Sequence, residues 1–386
     1  MEFDLNQEQK LLKDTARAFA LKELEPIAES IDRADEFPGG MFKKLGEMGF
    51  LGCTIPTEYG GAGSDYLSAA IIEEELARIS PSVALSYGAH SVLCADNLCR
   101  NGNEDQRKRY LPNLCSGKWV GALGLTEPGA GSDAVAIETI AEKDGDDYII
   151  DGTKTFITNG PIADLVLLYA KTDKEKGAKG ISAFLVETGF KGFSVSKKLE
   201  KMGHRGSPTG ELILDNCRIP AENLLGEENR GVAVMMSGLD IERAFLGAWG
   251  VGIAQGAFDL ALNYSKERVQ FGRPISEFQL TQEKLANAYV WIESSRLMMY
   301  KAALMAQRSG RGGKGTELHK MAAAALLLAG ETARKVALDA VQIHGGYGYI
   351  KELPVERYLR DSVAVTIGAG TSEIRRTVIA RELLGE

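Results

Sequence analysis

What most restricts the fold is a double change of periodicity along one chain. Up to about residue 119 apolar residues recur at helical spacing, from Trp119 to about Val232 they alternate between turn residues, and from Met236 the helical period returns in long segments. Helices, then strands, then helices predict an α+β multidomain protein. The expected units are an N-terminal α-helical domain (1–119), a middle antiparallel β-barrel domain (120–234) and a C-terminal four-helix bundle (235–386). A chain of 386 residues has the length for all three.

Within the first unit, Asn6 is placed to cap a helix carrying Leu12, Ala16, Phe19, Ala20 and Leu24, which ends before Pro26 or continues past it with a kink. Helical patterns follow over 41–48, 67–79, 83–99 and 105–114. In the middle unit, strands are expected over 120–123, 148–158, 165–170, 181–187 and 211–214, with Asp151-Gly152 as a hairpin signal. The last unit predicts helices near 238–267, 279–309, 315–343, 352–364 and 372–384.

Charge and cysteine usage narrow the function classes. There are 45 basic and 53 acidic residues, a net charge of -8, and no basic run, which disfavours nucleic acid as a partner. Cys53, Cys94, Cys99, Cys115 and Cys217 form no CxxC pair and read as reduced, mostly buried thiols of a cytoplasmic protein. His90, His204, His319 and His344 lie far apart in sequence, so no metal site is expected. The opening MEFDLNQEQK has no leader character, and no stretch reads as a membrane span.

Four stretches carry chemistry. In Gly238–Trp249, Glu242, Phe245 and Trp249 stand at i, i+3 and i+7, on one helical face. A carboxylate sharing that face with two rings beside an apolar cavity loses solvation and titrates near the working pH, as a general base must. The competing reading is a helix-start Glu drawn to the macrodipole, or one paired with Arg243 in solvent. The loop Gly124–Asp133 packs three glycines and a proline after a strand, an amide-exposing path suited to a phosphate or a heteroaromatic edge, with a plain connection as the alternative. At Gln342–Tyr349, a helix C-cap explains Gly345 alone, while the extra glycines suit close approach of a ligand. In Arg268–Pro274, Arg268 can grip a phosphate and Phe271 can cover a ring.

Taken together, these stretches resemble the acyl-CoA dehydrogenase family over essentially the whole chain. The loop 124–136 is similar to the family's first signature, and Gln342–Asp361, with Glu352 and Arg357, to its second. LSYGAHS (85–91), ITNGPIADL (157–165), GISAFLVE (180–187), MSGLDIER (236–243) and IGAGTSEIRR (367–376) are similar to the isovaleryl-CoA dehydrogenase branch. The resemblance implies the acyl-CoA dehydrogenase fold, FAD as cofactor and an acyl-CoA substrate. It also implies a homotetramer, a dimer of dimers with FAD shared across subunits, and electron-transfer flavoprotein as electron acceptor. Leu125, Thr126, Gly131 and Ser132 would hold the flavin, with Ser132 also facing the acyl-CoA. Phe156, Ile157 and Thr158 would flank its ring. Arg268, Phe271, Gln279, Gln342, Ile343, Gly345 and Gly346 would hold the pyrophosphate and adenosine half, and Thr371 and Glu373 would return to the cofactor. Asp240 and Arg243 are assigned to the CoA moiety.

The resemblance also singles out a base. Most relatives carry it in a loop reading Tyr-Glu-Gly-Thr, where this chain reads Gly368-Ala369-Gly370-Thr371. Ala369 cannot take a proton, and the isovaleryl branch supplies the carboxylate from the helix at the position of Glu242. Glu242 is then expected to remove the α-proton of a short, branched, isovaleryl-like acyl thioester while the β-hydride passes to the flavin, giving the 2-enoyl-CoA. Gly368, Ala369 and Gly370 leave room beside the acyl group. Phe245 and Trp249 stand where the isovaleryl enzymes have smaller side chains, and Ala233 where they carry a Tyr. If the rings line the pocket, a cyclic or aryl-substituted acyl-CoA (cyclohexanecarboxyl-CoA or benzylsuccinyl-CoA type) is the alternative substrate; if not, they are core. An oxidase or flavin monooxygenase is the alternative activity on the same scaffold.

Overall fold

The computed structural model describes residues 4–309 and 313–385; Met1–Phe3 of the opening stretch lie outside them. Asn6 caps α1 (Gln7–Phe19) reciprocally: its Oδ1 accepts from Gln9 N at 2.8 Å and Gln9 Oε1 accepts from Asn6 N at 3.1 Å. The helical path does not stop at Pro26. A π turn (Ala20–Leu24) and a 3-10 turn (Glu25–Ile27) lead into α2 (Ala28–Ala34), with Pro26 where its missing N–H breaks no ladder. Next come α3 (Met41–Glu47), α4 (Tyr66–Ile79), α5 (Pro81–Gly88), a π segment (Ala89–Asp96), α6 (Asn97–Asn101) and α7 (Glu104–Cys115).

The middle strands are β1 (Gly121–Gly124), β2 (Ile140–Asp144), β3 (Asp147–Thr158), β4 (Leu165–Lys171), β5 (Ile181–Glu187), β6 (Phe193–Lys198), β7 (Thr209–Pro220) and β8 (Leu224–Leu225). They run in the order β6-β7-β3-β2-β4-β5-β8, with β1 also on β4. Most neighbours are antiparallel, as expected, but β1 and β2 pair with β4 in parallel. The Asp151-Gly152 expectation is corrected. Both residues lie inside β3, Gly152 at a register shift where a Cβ would meet Thr139. The actual hairpin connection is Gly145-Asp146, with Gly145 at φ 63.

The last unit is α8 (Gly231–Glu267), a two-stranded excursion β9 (Val269–Gln270) and β10 (Arg273–Pro274), α9 (Gln279–Ser309), α10 (Glu317–His344), the short α11 (Gly346–Tyr349), α12 (Val355–Val365) and α13 (Ser372–Leu384). α8 begins seven residues before the expected 238 because nothing in Gly231–Ser237 stops a helix; small and apolar residues fill that stretch. Contrary to the expectation of no such stretch, α8 is long and apolar enough to cross a bilayer, yet 72% of that apolar window is buried inside the protein. Its apolarity is that of a central helix packed by α4, α9 and α10 together. The free thiols of Cys53, Cys94, Cys115 and Cys217 are buried and that of Cys99 is partly so.

Candidate active site

Glu242 lies eleven residues, about three turns, past the Gly231 start of α8, too far along for the helix-start reading. The pairing alternative fails too. Arg243 Nη1 turns to Asp240 Oδ1 at 3.2 Å, and its Nε donates to Ala369 O at 3.3 Å. Glu242 is left 6% exposed, and its Oε2 is buried without a hydrogen-bond partner. Burial pushes its carboxyl up to about 7, against the opposing pull of the Arg243 and Arg375 charges. A carboxyl so placed is half ionised near neutral pH and has a free lone pair for a proton.

The Gly368–Gly370 loop is held by the two guanidiniums whose charges act on Glu242. Arg375, 1% exposed, donates to Val365 O at 2.9 Å and to Gly368 O, while Arg243 holds Ala369 O. Ala369 itself sits at φ 55, a conformation that only this kind of pinning maintains in a non-glycine residue. Arg375 is a residue that sequence reasoning gave no role. In Arg375-Arg376 on a short helix, nothing distinguishes the buried guanidinium from its exposed neighbour. Burial first, then the Arg243 charge, lowers Arg375 to about 10.

The expectation for Asp240 is corrected. It is fully buried, with Oδ1 2.7 Å from His319 Nδ1 and Oδ2 accepting from Gly313 N at 2.6 Å, so both oxygens are used within the chain. It orients Arg243 and the approach to α10 rather than presenting itself to CoA. Phe245 and Trp249, each 2% exposed, pack in the main core cluster, Phe245 at 6.0 Å from the Tyr87 ring and Trp249 at 4.8 Å from His204. Both rings are part of the core.

The Gly124–Asp133 loop is more than a connection. Glu127 and Ala130 close a tight bridged turn. Glu127 Oε1 accepts from the fully buried Lys154 Nζ at 2.7 Å, and Oε2 accepts from Glu138 N at 2.5 Å. Lys154 also donates to Leu125 O at 3.3 Å, and Thr155 N to Thr126 O at 2.9 Å, tying the loop to β3. Burial lowers Lys154 to about 8 even though Glu127 opposes the shift. Gly131 and Ser132 are exposed, and a Cβ on Gly129 or Gly131 would meet nothing within 4 Å, so the backbone there borders open space. On the same strand as Lys154, Phe156 is 68% exposed at φ 58 and Thr158 is partly exposed. Ile157 is 3% exposed within the sheet core, so only its backbone can reach a cofactor.

Two clefts gather most of the other residues. One, about 520 Å³, is lined by Arg268, Ile343, Gly345, Gly346 and Tyr347 among others. Gly345 caps α10 through its N–H to Gln342 O at 3.2 Å, while Gly346 borders open space, so both readings of that cluster apply. A second, about 340 Å³, holds Thr371, Glu373, Glu331, Arg334 and Arg376. Gln342 is exposed at the end of α10, Gln279 at the start of α9, and Phe271 is 94% exposed; these three do not line either cleft. The rival base Glu373 is solvent-facing, and hydrogen bonds at its own backbone and from Thr371 hold its carboxyl below the usual range, which makes it a poor proton acceptor.

This arrangement meets its match in known proteins. Residues 6–118, 122–217 and 229–384 match the acyl-CoA dehydrogenase N-terminal, middle and C-terminal domains. The chain belongs to the acyl-CoA dehydrogenase family. It is 48% identical to a mitochondrial isovaleryl-CoA dehydrogenase of Solanum tuberosum, covering 98% of this chain and 91% of the relative. A 2-methylacyl-CoA dehydrogenase of the same plant is 47% identical over 98% of this chain and 91% of its own. Among solved structures, butyryl-CoA dehydrogenase from Megasphaera elsdenii superposes with a TM-score of 0.96 at 40% identity, covering 100% of both chains. The acyl-CoA dehydrogenase here is thus a flavoprotein oxidoreductase of CH-CH donors, with FAD as its cofactor. The open space at Gly129 and Gly131, the exposed Phe156 and the cleft at Arg268 fit such a group.

Proposed function

We propose that this enzyme dehydrogenates a short, branched, isovaleryl-like acyl-CoA at its α,β bond, with Glu242 as the base. The observation carrying the proposal is the buried, unpartnered Glu242 carboxyl, pushed to about 7 beside a loop that offers only Ala369. Glu242 removes the α-proton. Its burial removes the water that would otherwise stabilise the carboxylate, and so makes it a stronger base at neutral pH. Arg243 and Arg375 fix the Gly368–Gly370 turn, whose one side-chain carbon is the Ala369 methyl, leaving room for the acyl group. Bound FAD supplies the hydride acceptor. Leu125, Thr126, Gly131, Ser132, Phe156, Ile157 and Thr158 would hold its flavin, and Arg268 and the 343–346 turn its other half. Ser132 would also serve the acyl-CoA, and Arg243 the CoA moiety.

Relatives in the isovaleryl branch support the branched acyl group. The same reading makes the enzyme a homotetramer, in which the Arg268 cleft of one subunit completes the cofactor site of another, and electron-transfer flavoprotein the electron acceptor. The deciding experiment is Glu242→Gln: FAD and acyl-CoA still bind, while flavin bleaching by isovaleryl-CoA under anaerobic conditions slows by about 10²–10⁴-fold, the range of a lost general base. Bleaching at the wild-type rate removes Glu242 from the mechanism.

A further inference from the structure

Three consecutive glutamates on α4, Glu73, Glu74 and Glu75, are each at most 2% exposed. Two have cations: Glu74 lies 2.9 Å from Arg296 Nε, and Glu75 3.6 Å from Lys13 Nζ. Glu73 is 0% exposed and, among the described residues, has neither an ion pair nor a hydrogen-bond partner for either oxygen. Burial alone holds its carboxyl well above the usual range, which favours the protonated form.

Its neighbours belong to the face of α8 that carries the base. Where a Cβ on Gly88 would stand, Phe245 Cε1 is 3.1 Å away and Glu73 Oε1 3.6 Å away. Tyr87, 0% exposed and 6.0 Å from the Phe245 ring, has an unpartnered hydroxyl. Trp249, at i+4 from Phe245, has an unpartnered indole N–H. The great majority of buried polar side chains find a partner. Three orphans, one each from α4, α5 and α8, gather about Phe245, which lies about 4.5 Å along the α8 axis from Glu242 by helical rise, and mark a place where another molecule brings the partners.

Resting on the function proposed above, we propose that the acyl group ends, beyond its reacting carbons, in an uncharged hydroxyl or carbonyl that hydrogen-bonds to Glu73 and Tyr87. A plain hydrocarbon leaves these groups desolvated and unpaired, which is what makes a polar site reject the apolar analogue. A carboxylate meets no cation there, and an ammonium forces Glu73 to ionise in an apolar surround.

The test compares kcat/KM for isovaleryl-CoA with its 4-hydroxy counterpart, with 5-hydroxy-3-methylpentanoyl-CoA, and with counterparts ending in a carboxylate or an ammonium. The better hydroxylated substrate should exceed isovaleryl-CoA at least about tenfold, the lower end of what a missing hydrogen-bond partner is worth in an apolar site. Glu73→Leu and Tyr87→Phe should each collapse that ratio, and Glu73→Gln should retain most of it. The inference is overturned if isovaleryl-CoA is used as well as the hydroxylated compounds, if a charged counterpart is used best, or if Glu73→Leu leaves the ratio unchanged. Should Glu73→Leu fail to hold flavin, the wild-type ratio and Tyr87→Phe decide. Isovaleryl-CoA bleaching the flavin without preference for a hydroxyl defeats this inference alone. No acyl-CoA bleaching it, or Glu242→Gln bleaching normally, defeats the reading beneath it as well.

Discussion

The Glu242 carboxyl, the proposed base, also bears on the stability of the fold. With Glu242 titrating at about 7, only the ionised fraction accepts a proton, so kcat/KM for isovaleryl-CoA should rise about tenfold per pH unit below 7 and level off above it. A profile flat from pH 5 to 7 contradicts the assignment. Stability runs the other way. The folded value lies above the usual 4.5, so the folded chain binds this proton more tightly than the unfolded chain, and Glu242's contribution falls as pH rises from about 4.5 to about 7. Glu242→Gln should therefore raise the thermal midpoint relative to wild type at pH 8, by up to about 3 kcal/mol, and leave it little changed at pH 5. Equal midpoints of both proteins at pH 8 would show that the carboxyl is not held in an apolar surround. The identity and spacing of Glu242, Phe245 and Trp249 were readable from the chain, because helical periodicity decides which residues share a face. What that face meets was not. Glu73 and Gly88 reach it from α4 and α5, some 150 residues earlier, and only tertiary packing brings them there.

At the scale of elements, two contacts hold the site's parts in place. β3 and the glycine-rich loop are joined by the buried Glu127–Lys154 pair, and Lys154→Met leaves the carboxylate buried without its cation, a loss of about 3–5 kcal/mol by the usual behaviour of such pairs. That variant should purify with less flavin and a lowered urea midpoint; full flavin content at an unchanged midpoint would show the pair to be dispensable. α4 and α8 approach closely at Gly252, where a Cβ would lie 2.6 Å from Ala77 Cβ and 3.0 Å from Arg78 N. Gly252→Ala gains about 1 kcal/mol of helix propensity, yet forces the helices apart, with an expected net destabilisation of about 1–3 kcal/mol in urea unfolding. A more stable variant would mean that the two helices slide freely. Most elements were legible from periodicity, and α9 and α13 carry the expected bounds. The failures have local causes. Asp151-Gly152 carries hairpin chemistry, but Gly152 is needed against Thr139 instead, and the edge strand β6 alternates only over Phe193–Ser196 before two lysines, with most of it exposed. Lys154 looks like a solvated strand residue until its partner, 27 positions away, is placed beneath it.

At the scale of the whole molecule, one chain leaves its cofactor residues divided. The amides at 129–131 and Phe156 lie in the middle unit, while Phe271 and Gln279 stand exposed on the excursion and at the start of α9, outside both clefts. Along α9, Leu280 is 76%, Tyr289 60% and Val290 58% exposed, an apolar content that a helix facing only water does not carry. A second subunit laid on α9 would bury these side chains and bring Phe271 and Gln279 to a neighbour's flavin. Assembly and FAD retention should therefore fail together. Leu280→Glu with Val290→Glu places two carboxylates in that contact and should convert the proposed tetramer to smaller species in light scattering. The ratio of flavin to protein absorbance should fall in parallel, while far-ultraviolet dichroism keeps the helical signal. A variant that dissociates yet keeps one FAD per chain would show that each subunit binds its cofactor alone. A wild-type enzyme that is yellow and monomeric would exclude the shared site outright.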